Sequence, residues 1–391
     1  MIMATFNYEY VNTKFKEKAK EYSERGCLLN KELVATRYKN ALVIPFDERK
    51  RGEVITEDGI GVSTDFKQKV DISEYDLSNV KKGGKAILLG NFWIYVWGHC
   101  FTDHFNKLWF AFTEECKKLQ AQGVELIALS CKPQAPKYFQ TLFELTGFDW
   151  NSLKFVTEIT QYEEVYVPDN CYLQIEGEWN RFYTKEYVGL LDRMKENVRK
   201  FALTDGNYPQ FDRIYLTRTQ GSFGTFRDLG EKLIEDVFHK EGYTIVAPEK
   251  LTVPQQIWLM MNVKDLVATD GSICHASTFC THHTKITVLM KVDFLTENQI
   301  VSDQIANMYV TYVSVHRSFF AGKDDPWHGP FLFCITNNLE RYIGHRIPHI
   351  PFFLRKDFFL YCLRKIYVET FRKSTIVDSL VKKKLGIKQT Y

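Results

Sequence analysis

The sequence lacks the signatures of several protein classes. Its nine cysteines are scattered, and no two form a Cys-x-x-Cys pair, so neither a zinc ribbon nor a disulfide framework is indicated. No apolar run approaches the roughly 20 residues of a membrane-spanning helix, and the polar first 20 residues hold no apolar secretory segment. A net charge of only +3 does not indicate a nucleic-acid-binding protein. We therefore expect a cytoplasmic protein with free thiols.

Two catalytic signatures are also missing. No Gly-x-Ser-x-Gly segment occurs, so the sequence gives no support for the nucleophile elbow of a hydrolase. The Asp-x-Asp motif of metal-dependent sugar transferases is absent as well, and we expect no metal and no other cofactor.

Length and composition are those of an ordinary globular protein. The 391 residues suit two domains, and 45% of them are hydrophobic while 25% are charged. Aromatic residues make up 15% of the chain, with 30 Phe and 21 Tyr. Such rings fill hydrophobic cores, and they also line grooves that bind sugars. Composition favours the first interpretation and leaves the second open.

Apolar spacing predicts two series in which strands and helices alternate. Predicted strands cover residues 86–97, 124–130, 153–159, 164–168, 213–217, 243–247, 265–269 and 285–291. Predicted helices cover residues 101–119, 138–145, 186–203, 227–240 and 252–262, and a further helix starts near residue 272. A linker at 204–209 separates the series. This pattern predicts an α/β fold with two Rossmann-like domains, 1–204 and 205–340, facing across a cleft.

The first candidate segment follows the strand predicted at 86–97. His99 and Asp103 are four residues apart and so share one face of the helix predicted next. An imidazole and a carboxylate there are suited to remove a proton from an attacking hydroxyl. An Asp that only stabilises a helix N-terminus, beside a structural His, is an equally open interpretation.

Two further segments follow strand ends in the second series. Arg218 and Arg227 flank a polar loop with glycine, and guanidinium groups bind phosphate in bidentate fashion. Gly271 and Ser272 stand at a predicted helix start, where backbone N–H groups favour phosphate. Ligands of parallel sheets bind beyond the carboxyl ends of the strands, so all three segments point to one cleft. Each motif alone is short and unspecific.

The C-terminal segment 341–391 is predicted to be helical and is rich in basic residues, ending in Lys382, Lys383, Lys384 and Lys388. Residues 352–371 mix aromatic, aliphatic and basic side chains. Such a helix either lies at a membrane surface or packs back on the N-terminal domain. We expect the packed arrangement, and we keep peripheral membrane contact through the basic C-terminus as the alternative.

The order of these segments resembles the family 61 glycosyltransferases. The segment Arg213-Ile214-Tyr215-Leu216-Thr217-Arg218 is similar to the family's R-I-Y-hydroxyl-R strand end. The remaining similar positions are Gly98, His99, Asp103, Trp109, Arg227, Glu231, Gly242, Tyr243, Pro248, Glu249, Gln256, Ile257 and Gly271. The resemblance covers about half of the chain.

That resemblance implies a GT-B fold and an inverting, metal-independent enzyme with a nucleotide-sugar donor, most simply a UDP-sugar. It makes Asp103 the base with His99 beside it, and it makes Arg218, Arg227, Gly271 and Ser272 the ligands of the donor diphosphate. Further donor-site candidates are Thr217, Glu231, Pro248, Lys250, Asp270 and His275.

Three positions depart from the family pattern. Asp270 stands where the family has His, Gln255 where it has Glu, and Gly230 where it has Asn. These changes leave the donor sugar open. The expected reaction is sugar transfer to a polysaccharide or glycolipid hydroxyl during bacterial surface-glycan synthesis. The alternatives are a nucleotide-sugar epimerase of the same build and a non-catalytic part of a glycan assembly complex.

Overall fold

The computed structural model describes residues 4–46, 52–220, 227–317, 319 and 329–370. Within them the chain forms a mixed α/β structure with two large sheets and two short two-stranded ones. The α/β class predicted from the alternation is therefore confirmed.

The first large sheet has nine strands and is mixed. Its order is Gln68–Lys69, Ile60–Gly61, Glu53–Ile55, Leu42–Ile44, Thr160–Pro168, Lys81–Phe92, Glu125–Ser130 and Leu153–Val156, with Ala35–Lys39 also paired to Thr160–Pro168. The strands from Thr160–Pro168 to Leu153–Val156 pair in parallel, and those before them pair antiparallel. The parallel part has its carboxyl ends at one edge.

The second large sheet has six strands, all parallel. Its order is Thr5–Tyr10, Tyr309–Ser314, Lys285–Met290, Asp265–Thr269, Arg213–Leu216 and Thr244–Val246. The first strand of the chain thus lies at the edge of this sheet, whereas the predicted domain 1–204 places it with the other half. The domain boundaries stay predictions.

Nine α-helices longer than one turn occur in the described residues. They are Thr13–Ser23, Glu114–Ala121, Lys137–Leu145, Lys185–Asp205, Glu231–Lys240, Val253–Asn262, Glu297–Ala306, Asn337–Ile343 and Lys356–Thr370. Short helical turns are Ile72–Glu74, Trp97–His99, Cys100–His104, Leu108–Phe112, Trp150–Ser152, Pro248–Lys250, Cys274–Phe279 and Phe352–Leu354. The two-stranded sheets are Tyr172–Gln174 with Arg181–Tyr183, and Asp228–Leu229 with Phe331–Leu332.

One hydrophobic cluster joins the two large sheets. Helices Lys185–Asp205 and Val253–Asn262, one from each predicted half, pack against each other. Close by, the rings of Phe101 and Phe279 meet edge to face with centroids 5.4 Å apart, and both are buried in this cluster. The loops after Phe92 and after Thr269 therefore approach each other at the rim of a shared core.

Several predicted elements differ from the observed ones. The strand predicted at 86–97 ends at Phe92, and the helix predicted at 101–119 is broken into Trp97–His99, a π-helical turn Cys100–His104, a 3₁₀ turn and Glu114–Ala121. Apolar spacing persists through such breaks because each piece buries the same side, so the pattern alone did not reveal them.

Two helix starts in the second half were also predicted wrongly. The helix predicted from residue 227 begins at Glu231, because Asp228–Leu229 pair as a strand with Phe331–Leu332 and Gly230 adopts a φ of +84°. The helix predicted near Ser272 is a 3₁₀ turn, Cys274–Phe279.

The predicted return of the C-terminal helix to the N-terminal domain is wrong for the described residues. Helix Lys356–Thr370 packs on the short strands Asp228–Leu229 and Phe331–Leu332 of the second half. Tyr361 is buried there against Leu229 and Leu332. Long-range pairing of those two strands creates the groove that the helix fills, and the sequence did not indicate that pairing.

No helix in the described part of the chain is both long and apolar enough to cross a membrane. The basic residues Lys382, Lys383, Lys384 and Lys388 lie outside the described residues.

Candidate functional site

The first and third candidate segments are in contact. A Cβ atom placed on Gly98 would lie 2.8 Å from Ser272 Oγ and 3.3 Å from Ser272 Cα, so only glycine allows this approach. Gly98 lies in the turn Trp97–His99, which is followed by the turn that carries Asp103, and Ser272 follows Gly271. The contact places the predicted proton acceptors of the first half beside the predicted phosphate turn of the second.

His99 and Asp103 form a hydrogen-bonded pair. The distance from His99 Nδ1 to Asp103 Oδ2 is 2.5 Å, and the side chains are 35% and 18% exposed. The hydroxyl of Thr102 donates to the same carboxylate oxygen at 2.8 Å, and Arg181 Nη1 lies 3.9 Å from Asp103 Oδ1. The π-helical turn Cys100–His104 holds this geometry.

The charges around Asp103 keep it ionised. Burial alone would raise its pKa, but the hydrogen bond from His99 and the charges of His99 and Arg181 outweigh burial and lower that pKa. A carboxylate stabilised in this way is a weak base. It is well placed to hold the Nδ1–H tautomer of His99, which leaves Nε2 with its lone pair free.

Next to this pair, cationic side chains converge on Gly271. This residue has a φ of +126°, and a Cβ atom on it would lie 3.4 Å from Lys291 Nζ and 4.0 Å from Arg218 Nη1. Because the φ is unfavourable for residues with a Cβ, glycine permits both the turn and the close approach of the cations. The backbone at Gly271 and two positive groups therefore face one small region.

Lys291 is a buried lysine whose ammonium group lies beside Gly271. It directly follows the strand Lys285–Met290 and is 9% exposed, with Nζ lying 4.5 Å from the ring centre of Phe331. Burial lowers its pKa, an effect that Asp228 and Asp270 oppose through their charge. Among the described residues, no hydrogen bond or ion pair to this ammonium is found, so the group is placed to bind an anionic ligand.

Arg218 is fixed from two sides. Its Nη1 lies 3.0 Å from Asp228 Oδ2, which is buried, and its backbone N–H donates to Glu231 Oε1 at 2.9 Å. Arg227 is half-buried, and its positive charge contributes to lowering the pKa of Lys291. The loop 221–226 between the two arginines lies outside the described residues.

Asp270 and His275 are buried next to this region and are held by hydrogen bonds. Thr296 Oγ1 lies 2.8 Å from Asp270 Oδ2 and 3.0 Å from Oδ1 and donates its proton to this carboxylate. His275 Nδ1 lies 3.0 Å from Gln299 Oε1, and both residues are buried. His275 is thus part of a buried polar network, although its imidazole is close enough to feel the charges of Asp270, Lys291 and His99.

The remaining predicted donor ligands are either buried within the fold or exposed on a neighbouring turn. Thr217 is completely buried and donates to Glu235 Oε2 at 2.5 Å, so it holds the strand end in place. Pro248 and Lys250 belong to the turn that follows the edge strand Thr244–Val246, and Lys250 is exposed. These roles stay predictions.

The sequence analysis missed four charged residues of this region. Lys291 was detectable, because it is the last residue of the strand predicted at 285–291 and the carboxyl-end rule applies there. Asp228 was assigned to a helix. Arg181 and Glu297 come from a short strand and a helix that were not predicted, and burial together with the charges of Asp270 and Asp103 raises the pKa of Glu297, which Arg181 opposes.

Metal ligands do not cluster in this region. Over the described ranges, no group of three or more His, Cys, Asp or Glu side chains is arranged to hold a metal ion. The cationic side chains described around this region are Lys291, Arg218 and Arg227.

Comparison with known proteins identifies the family. The sequence model of the family described as Glycosyltransferase 61 matches residues 97–287. No curated protein matches the chain. The matched stretch contains His99, Asp103, Arg218 and Gly271, which meet at the site described above. Residues 97–287 are therefore a glycosyltransferase 61 domain, and the protein is a glycosyltransferase.

Proposed function

We propose that this protein is an inverting, metal-independent glycosyltransferase of the GT-B type, with a UDP-sugar donor. The donor domain comprises residues 205–340 and the acceptor domain residues 1–204. The acceptor is a hydroxyl of a polysaccharide or glycolipid, and the setting is bacterial surface-glycan synthesis in the cytoplasm. Two α/β sheets that meet where the family residues converge support this assignment.

The observation that carries the proposal is the buried ammonium of Lys291 beside Gly271 and Arg218. The two phosphates of a nucleoside diphosphate would supply a counter-charge to this ammonium, and the glycine at position 271 allows them to approach the backbone. The negative charge on the diphosphate grows as its bond to the sugar breaks. Fixed cations at this point stabilise the transition state more than the ground state. Arg227 adds a third positive charge, so the site can neutralise the leaving group without a divalent ion.

The pair His99–Asp103 supplies the base. We assign proton removal to Nε2 of His99 and assign Asp103 to orienting and stabilising the imidazolium, because Asp103 already accepts two hydrogen bonds. The acceptor oxygen then attacks the anomeric carbon from the face opposite the diphosphate. A C–O bond forms, the bond from the anomeric carbon to the phosphate oxygen breaks with its electron pair, and the proton stays on His99.

We also propose peripheral contact with an anionic membrane. Residues 346–391 hold eleven Lys and Arg against three Asp and Glu, an excess larger than the net charge of the whole chain. In the described part of that segment a set of apolar side chains is at least half exposed: Ile350, Phe353, Leu354, Phe359, Leu363 and Ile366. Apolar side chains beside positive charge are what an interface of anionic lipids binds.

The donor site is tested by calorimetric titration of UDP and of uridine into purified protein. We expect UDP to bind, and Lys291→Met to weaken UDP at least tenfold while changing uridine affinity little, since only UDP carries the diphosphate. The matched control is Lys264→Met, because Lys264 is an exposed lysine paired with Asp212 and far less costly to remove. A folded wild-type protein that binds no nucleoside diphosphate would contradict the proposal.

The base is tested with a panel of nucleotide sugars and mixed glycan acceptors. We expect His99→Asn to leave UDP affinity unchanged and to lower kcat by about a hundredfold or more. Conversion of a donor to its epimer without any acceptor would favour the epimerase alternative. Full activity of a glycan assembly complex carrying His99→Asn would favour a non-catalytic component.

A further inference from the structure

Trp93 is an exposed aromatic side chain at the mouth of the site. It directly follows the strand Lys81–Phe92 and is 43% exposed. Every other tryptophan in the described ranges is buried or half-buried. A large ring exposed at the carboxyl end of a parallel strand, where ligands of such sheets bind, is placed to pack against a ligand.

The position of Trp93 relative to the proposed base is specific. The centroids of the Trp93 and His99 rings are 4.7 Å apart, and the ring planes cross at 70°. His99 is in turn bound through Nδ1 to Asp103. A ligand that packs against the exposed part of this indole therefore lies near the imidazole, for whose Nε2 no hydrogen bond is found among the described residues.

Pyranose rings have the shape and chemistry for this position. Their axial C–H groups form an apolar face, which packs against the electron-rich face of an indole, and their hydroxyls project from the rim. A hydroxyl on the rim of a stacked sugar comes within reach of a neighbouring imidazole. A lipid chain gains from the apolar contact too, but it offers no hydroxyl to His99.

We propose that Trp93 is the platform of an acceptor subsite and that the group accepting the new sugar is itself a sugar ring. The inference rests on the proposed function, since it uses His99 as the base. It adds the acceptor class: the attacked hydroxyl belongs to a saccharide whose apolar face lies on Trp93. Trp93 touches the acceptor and not the donor diphosphate, which binds near Gly271 and Lys291.

Binding is tested on protein labelled with ¹⁵N-tryptophan and saturated with UDP. The indole N–H signal of Trp93 is assigned with Trp93→Phe, and that of Trp258, whose ring contacts Tyr208 elsewhere, serves as the control. Methyl glycosides and disaccharides of the common hexoses, hexosamines and uronic acids are the probes. We expect at least one class to shift the Trp93 signal and to leave the Trp258 signal in place.

Kinetics with the responding saccharide provide the second measurement. Trp93→Ala is expected to raise the KM for the acceptor about tenfold or more, to leave UDP affinity unchanged and to be partly rescued in Trp93→Tyr. No shift with any saccharide, or a shift caused by alkyl detergents alone, would overturn the subsite while leaving the proposed function intact. Failure of UDP itself to bind would instead contradict the proposed function.

Discussion

At the scale of single residues, two glutamates near Arg218, Glu231 and Glu235, have pKa values shifted in opposite directions. Glu231 is buried, and burial together with the negative charge of Asp228 raises its pKa to about 7, although the hydrogen bond from the backbone of Arg218 opposes this. Glu235 behaves oppositely. Burial would raise its pKa, but the hydrogen bonds that it accepts from Lys232, Thr217 and Thr219 outweigh burial and lower it.

These directions predict opposite effects of pH on stability. Because the pKa of Glu231 is higher in the folded state than in the unfolded chain, its contribution is complete below about pH 4.5 and is lost as pH rises toward 7, at up to roughly 1.4 kcal/mol per pH unit. Glu231→Gln should therefore match the wild type near pH 4.5 and be more stable at pH 8. The measurement is urea unfolding at both values.

Glu235→Gln provides the contrast. The pKa of Glu235 in the wild type is lower in the folded state than in the unfolded chain. The stabilisation that Glu235 provides is therefore present above its unfolded pKa and is lost as pH falls. We expect this variant to be less stable than the wild type at pH 8, with a smaller difference in acid. Equal pH dependence of Glu231→Gln and the wild type would show that Glu231 is not the group responsible.

At the scale of elements, the start of helix Val253–Asn262 is set by local chemistry. Thr252 Oγ1 accepts from the backbone of Gln255 at 3.4 Å, and Gln255 Oε1 accepts from the backbone of Thr252 at 2.9 Å. Both interactions satisfy N–H groups that the first turn leaves unpaired. Thr252 and Gln255 thus form a capping box, whose three-residue spacing is visible in the sequence.

Loss of that cap should destabilise the junction between the sheets. Helix Val253–Asn262 packs on Lys185–Asp205 in the shared core, so fraying of its first turn affects both halves. We expect Thr252→Ala to lower the free energy of unfolding by about 1 kcal/mol, measured from urea transitions. Thr204→Ala, at an exposed threonine in the last turn of a helix, should cost less than about 0.5 kcal/mol. Equal costs would show that the cap is not the source of the effect.

At the scale of the whole molecule, charge and exposed apolar surface are concentrated at the C-terminal end. The apolar residues Phe359, Leu363 and Ile366 recur at helical spacing on the exposed side of Lys356–Thr370, while Tyr361 faces the fold. One face of this helix is therefore packed on the fold, and the other carries exposed apolar side chains.

Sedimentation with lipid vesicles tests this surface. We expect binding to vesicles containing phosphatidylglycerol, weaker binding to pure phosphatidylcholine, and a decrease with salt because the attraction is partly electrostatic. Phe359→Glu with Leu363→Glu should reduce binding severalfold, whereas Leu203→Glu, at a leucine that is 85% exposed on another helix, should not. Self-association of the wild type that the double variant abolishes, without vesicle binding, would assign the surface to a second copy instead.

The sequence by itself indicated most of the alternating elements and supplied most of the candidate site residues. Strand Asp265–Thr269 has its predicted bounds, and His99, Asp103, Arg218 and Gly271 follow strand ends as the carboxyl-end rule requires. These features depend on local periodicity, on glycine conformation and on the chemistry of individual side chains. Each of these properties is contained in a short stretch of chain, so a single sequence is enough to predict them.

Only the tertiary structure decided which distant residues meet. It paired Thr5–Tyr10 with Tyr309–Ser314, brought Gly98 against Ser272, and placed Lys291 and Arg218 beside Gly271. It also placed the C-terminal helix on the strand pair Asp228–Leu229 and Phe331–Leu332. These contacts join residues that are far apart in the sequence. Many alternative pairings of strands and loops are compatible with the same local pattern, and only the packing of complementary shapes and charges selects one of them.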